Sequence, residues 1–124
     1  NVTSIGRRAF YDCTSLKCIN FPSTLTAICD NAFEHCTSLR EVKLSKSNVT
    51  SIGRRAFYDC TSLKCINFPS TLTAICDNAF EHCTSLREVD AFMNCTSLKC
   101  INFPSTLTAI CNNAFEDCTS LREV

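Results

Sequence analysis

The chain has 124 residues, in which twelve Lys and Arg balance twelve Asp and Glu, two residues are glycine and twelve are cysteine. Zero net charge argues against nucleic acid or an anionic membrane as partner of the whole surface, so any charge argument must rest on local stripes. No run approaches the roughly 18 apolar residues of a transmembrane helix, so no membrane insertion is expected of this segment.

The chain is an array. Asn1 to Val42 recurs letter for letter as Asn48 to Val89, and Ala91 to Val124 repeats Ala56 to Val89 with four changes. Within the blocks 1–47, 48–89 and 91–124, the motif Ala-Phe-x-x-Cys begins at Ala9, Ala32, Ala56, Ala79, Ala91 and Ala114, in steps of 23, 24, 23, 12 and 23 residues. A period in the low twenties falls in the window of about 20 to 29 residues that marks leucine-rich solenoids. Residues 1–124 therefore read as one leucine-rich-repeat solenoid of five to six short coils. The expected architecture is a parallel β-sheet on one face, with a second short strand or extended wall plus a helical turn on the other. Neither end carries a polar capping unit, which suggests a fragment of a longer array.

In chain order, the coil Leu16 to Leu39 opens with Leu16-x-x-Ile19-x-Phe21, a short strand whose Ile19 and Phe21 point inward while Cys18 and Asn20 face out. Pro22, with no amide to donate, ends it. Leu25 and Ile28 supply the opposite wall. Asp30 is placed to cap a helical turn carrying Ala32, Phe33 and Cys36, as are Asp77 and Asn112 in their coils. Thr37-Ser38 precedes the next strand, where hydroxyls satisfy turn backbone. The alternate coil uses Leu39, Val42 and Leu44, then Val49 and Ile52. Its Gly53, like Gly6, stands where Cys29 and Cys76 stand in the other type, so the position does not demand positive φ. At Asp90 the pattern breaks: twelve residues are missing between motif copies, which suggests an internal deletion or a change of direction.

Cysteine at this density would suggest a disulfide scaffold in a small secreted protein. The periodicity argues otherwise. Cys13, Cys36, Cys60, Cys83, Cys95 and Cys118 fill the last place of the motif, where a small apolar residue suits a coil interior. Cys18, Cys29, Cys65, Cys76, Cys100 and Cys111 recur in alternate coils, so equivalent members are expected two coils apart, about 10 Å, beyond disulfide reach. Free thiols follow, and the absence of Cys-x-x-Cys gives no reason to assign a metal.

The strings Asn48-Val49-Thr50-Ser51-Ile52-Gly53, Ala56-Phe57-x-x-Cys60 and Leu63-x-x-Ile66-x-Phe68-Pro69 resemble the BspA-like class of leucine-rich repeats, over essentially the whole chain. The resemblance implies a curved solenoid from a surface protein of host-associated bacteria or mucosal protists, with adhesion as its usual association. Every residue that carries it is a packing or turn residue, so it implies architecture more than ligand.

For chemistry, His35 and His82 align in one column with Asp12, Asp59, Asn94 and Asp117, but nothing activates a nucleophile and no hydrolase or zinc-protease pattern occurs. No enzyme activity and no cofactor are expected. Arg7-Arg8 and Arg54-Arg55 share a column with Asp30-Asn31 and Asp77-Asn78, which predicts cross-coil pairing. One column keeps a single sign: Lys17, Arg40, Lys64, Arg87, Lys99 and Arg122, the candidate ligand stripe. Asn48 lies in a glycosylation acceptor pattern. The expected function is a non-enzymatic interaction or adhesion array, part of a larger cell-surface protein, engaging protein or glycan ligands multivalently. The alternative is a structural element, natural or designed, that stacks end to end by self-association.

Overall fold

The fold is seen in a computed structural model, in which the described residues are 2–90 and 107–118. Among the described residues, eight short strands make two parallel sheets. The wall sheet has five strands of two residues each, β1 (Ser4–Ile5), β2 (Ala27–Ile28), β4 (Ser51–Ile52), β6 (Ala74–Ile75) and β8 (Ala109–Ile110), adjacent in that order. The second sheet orders β3 (Glu41–Lys43), β5 (Cys65–Asn67) and β7 (Glu88–Asp90). Each coil thus contributes one rung to a sheet and pairs only with its neighbours, as the solenoid reading requires.

The interior is a stack of like on like. Phe10, Phe33, Phe57, Phe80 and Phe115 form a continuous column with ring centroids 5.0 to 5.1 Å apart and planes within 7° of parallel. Phe21 and Phe68 meet Phe33 and Phe80 edge-on at 6.0 Å. Leu25, Leu39, Leu63, Leu72 and Leu86, with Ile52, Ile66 and Ile75, are fully buried around it. Burying these side chains, at roughly 1.5–3 kcal/mol each, is what holds successive coils in register.

The expected helical turn takes another form. No helix occurs among the described residues, and the segment after Asp30 is a chain of turns in which amides alternate their partners. Ala32, Glu34 and Cys36 donate three residues back within the coil, at 3.2 to 3.3 Å. Asn31, Phe33 and His35 donate instead to Arg54, Ala56 and Tyr58 of the next coil, at 2.7 to 2.8 Å. A helix would consume every amide internally; giving half of them to the neighbour is what welds the stack. The alternation needs left-handed residues, and Asn31 (φ 61°) and His35 (φ 63°) supply them, as do Arg55, Asp59, Asn78 and His82 in later coils. Asn, Asp and His are the non-glycine types that enter this region most readily.

Asp30 does not cap its own segment. Its Oδ1 accepts from the Arg54 amide of the next coil at 2.8 Å, and Asp77 does the same for Asn112 at 3.0 Å. This explains Gly53. No glycine has positive φ, as expected, but a Cβ on Gly53 would lie 2.6 Å from Asp30 Oδ1 and 2.7 Å from Asp30 N. The glycine makes room for the carboxylate above it.

Two further expectations change. In the outer coil Cys18 and Asn20 are exposed, but in the middle strand β5 Cys65 and Asn67 are only 4% and 0% exposed, because that strand has a strand on either side. At the irregular junction the wall sheet does not turn away: Ile75 pairs with Ile110 in the same register as Ile52 with Ile75. Counted along the wall register, the step from Ala74 to Ala109 is 35 residues, against 23 or 24 for the steps before it, and residues 91–106 within it lie outside those described.

Candidate interaction surface

The basic column is built on backbone. Arg40 N donates to Lys17 O (3.0 Å), Lys64 N to Arg40 O (2.8 Å) and Arg87 N to Lys64 O (2.9 Å). Each of these residues follows an inward-pointing leucine, so alternation sends its side chain outward, and all four are exposed. Lys17, Arg40 and Lys64, with Cys18 and Glu41, line an open groove of about 390 Å³. Glu41 is paired with Lys43 at 3.5 Å, and among the described residues none of the four stripe cations forms an ion pair. The stripe therefore carries four unneutralised charges at the ~4.8 Å strand spacing. Lys99 and Arg122 lie outside the described residues. Asn48 is exposed, its Nδ2 donating to Ser23 O at 2.8 Å.

Each described histidine meets the column carboxylate of the next coil, as the alignment suggested, but its second carboxylate is the glutamate that precedes it in the chain. His35 Nδ1 meets Asp59 Oδ2 of the next coil at 2.9 Å and its Nε2 lies 3.5 Å from Glu34; His82 meets Asp117 at 3.0 Å and Glu81 at 3.5 Å. Tyr58 lies edge-on to both rings. Asn94, the other member of the column, lies outside the described residues. The arginine pairs are used differently from the cross-coil pairing expected. Arg55 lies over the Tyr58 ring at 4.3 Å and 3.9 Å from Glu34, Arg8 lies over Tyr11 at 5.3 Å, and it is the Arg54 backbone that bonds to Asp30. The contacts of His35 with Asp59, His82 with Asp117, Arg55 with Glu34 and the Arg54 amide with Asp30 tie successive coils together.

The motif cysteines have a structural task that sequence reasoning missed. Cys36, Cys60, Cys83 and Cys118 each direct Sγ–H to the carbonyl of the phenylalanine one coil back, Phe10, Phe33, Phe57 and Phe80, at 3.0 to 3.2 Å. Alanine would fill the space but leave that bond unmade. Burial, with Cys60 nearby, pushes the Cys36 thiol up to about 12, and burial pushes Cys83 up as well. The ten described cysteines are free. Alkylation of the native chain at pH 8 is therefore expected to spare Cys36, Cys60 and Cys83 while the exposed Cys18 and Cys111 react; at least ten thiols should react in denaturant. Because the folded value of Cys36 is raised, the unfolded chain ionises first. This thiol's contribution is then intact below about pH 9 and declines above it, a fall that a denaturation series between pH 8 and 10 would measure.

The recurring coil geometry agrees with the comparisons. The family model of the BspA type leucine rich repeat region matches in six copies, over residues 1–91 and 88–124. The chain belongs to this family. The BspA-type array is similar to a leucine rich cell surface protein of Faecalibacterium prausnitzii, with 30% identity over 98% of this chain and 42% of that one, and a TM-score of 0.54. It is also similar to a leucine-rich repeat protein of Eubacterium ventriosum, with 28% identity over 94% of this chain and 40% of that one, and a TM-score of 0.55. The chain spans about two-fifths of the length of either. No curated protein is significantly similar to it.

Proposed function

We propose that this BspA-type array is a non-enzymatic recognition segment of a cell-surface protein, and that it holds an acidic protein or a sulfated glycan along the stripe of Lys17, Arg40, Lys64 and Arg87. The observation that carries the reading is one column of exposed cations that keeps its sign on four consecutive coils, none of them in an ion pair among the described residues, while the histidines, Arg8 and Arg55 lie against carboxylates or aromatic rings. Like charges so placed cost stability through mutual repulsion, roughly 1 kcal/mol or less per neighbouring pair in water, and packing gives no reason for them. An anionic ligand supplies the reason. Surface location is supported by the description of the Faecalibacterium prausnitzii protein, and multivalent contact by the repetition itself.

Binding to heparin across a salt series tests this. Four charge contacts predict a loss of about tenfold to a hundredfold in affinity between 50 and 200 mM salt, through release of counterions from the polyanion. Affinity that does not change with salt would remove the electrostatic reading.

A further inference from the structure

The histidine column holds two clusters of the same composition in different settings. Glu34, His35 and Asp59 form one, and Glu81, His82 and Asp117 the other. The amide bonds between coils fix which residues surround each. Asn31 donates to the Arg54 carbonyl and His35 to that of Tyr58, whereas Asn78 donates to Asn112 and His82 to Glu116. The first cluster thus faces a coil of the other type, and the second faces a coil of its own type across the junction. Asn113 stands there in the place of Arg55, and Glu116 in the place of Tyr58.

Those two replacements change the charge around the imidazole. In the first cluster Arg55 Nη1 lies 3.9 Å from Glu34 Oε2, and the Tyr58 ring lies edge-on to His35 at 5.8 Å. In the second, Asn113 brings no charge and Glu116 adds a carboxylate beside Asp117 in the chain. Among the described residues no lysine or arginine forms an ion pair with Glu81, Glu116 or Asp117. Glu81 Oε1 accepts from Asn78 Nδ2, and its Oε2 is turned to His82.

We propose that Glu81, His82 and Asp117 bind a divalent transition-metal ion, held between the two coils of like type. One ligand atom from each lies within 4.8 Å of the other two, and no other group of three such residues among those described comes this close, the Glu34 cluster included. Any three atoms so spaced share a point within about 2.8 Å, so metal bonds of about 2.0–2.2 Å are reached by shifts of about 0.7 Å or less. The side chains are free enough to make them and open to an incoming ion, with Glu81 14%, His82 36% and Asp117 50% exposed. Imidazole selects nickel, copper or zinc over magnesium or calcium, two carboxylates neutralise the charge of the ion, and water fills the remaining places.

Adding nickel to the reduced whole chain, with the ring protons of its two histidines followed by nuclear magnetic resonance, tests the assignment; His35→Gln tells the two sets of signals apart. The His82 signals are expected to broaden first, at a nickel concentration about tenfold or more below the one that broadens those of His35. Glu81→Gln and Asp117→Asn should each raise that concentration about tenfold or more. Asn113→Arg, which restores the arrangement around Glu34, should do the same with all three ligands still in place. Arginine suits that backbone, since Arg55 has φ 54° and Asn113 φ 59°. None of these variants touches a cysteine, so nickel held by thiols elsewhere does not respond to them, and circular dichroism shows whether each keeps its fold. Broadening of both histidines at the same concentration, His82 signals unchanged up to millimolar nickel, or undiminished binding in the folded Asn113→Arg and Glu81→Gln chains would each overturn the proposal.

Discussion

Replacing Phe57 by alanine is expected to destabilise the array by about 3–5 kcal/mol and to divide its unfolding into two transitions. Phe57 is fully buried and stacked at 5.1 Å against Phe33 on one side and Phe80 on the other. Truncation removes apolar area and leaves a gap that two parallel rings cannot close without breaking the amide bonds on either side, Phe33 N to Ala56 O and Phe57 N to Ala79 O, both 2.7 Å. Stability in a solenoid is close to a sum of coil and interface terms. Weakening the central interface therefore uncouples the coils before it from those after it. Phe10→Ala, at a half-buried rung with one stacked neighbour among the described residues, should cost less and leave one transition. Urea denaturation followed by circular dichroism reads both, and an unchanged midpoint for Phe57→Ala would contradict the stacked core.

Affinity for acidic ligands is expected to climb steeply with ligand length and then level off. The four stripe cations span about 15 Å at strand spacing, and each exposed charge contact contributes only about 0–1 kcal/mol. A ligand with one anionic group should then bind barely at all. One that reaches all four columns converts later contacts into intramolecular events and should gain 10² to 10⁴-fold over the shortest, where its geometry matches the spacing. Calorimetry with sulfated oligosaccharides of increasing length measures the climb. A flat series would mean a single local site and no array effect.

Much of this architecture was legible in the residues because the same packing problem recurs in every coil. Ala-Phe-x-x-Cys shows the phenylalanine column directly, and the isoleucine pairs of the wall strands appear where their spacing puts them. The stripe was equally readable, since a column that keeps its sign through four coils stands out against columns that alternate. Contacts that cross between coils were not. A capping rule looks a few residues along the chain, so it assigned Asp30 to its own segment, when its partner is the Arg54 amide one turn away. Gly53 looked optional for the same reason: its φ is ordinary, and the crowding at its Cβ position comes from Asp30 of the neighbouring coil. The helical turn was inferred from apolar spacing, which cannot show that alternate amides serve the next coil. Counting by the motif also does not show that the wall sheet pairs straight across the junction, Ile75 with Ile110.

The claim on which the functional account rests is that consecutive coils align Lys17, Arg40, Lys64 and Arg87 into one binding edge. Reversing these four residues to glutamate, with heparin affinity measured beside a control in which Arg7, Arg8, Arg54 and Arg55 are reversed, tests it most directly. The account predicts that the stripe variant loses binding by at least a hundredfold while the control, carrying the same change in net charge, retains most of it. Equal losses, or undiminished binding in the stripe variant, would contradict it.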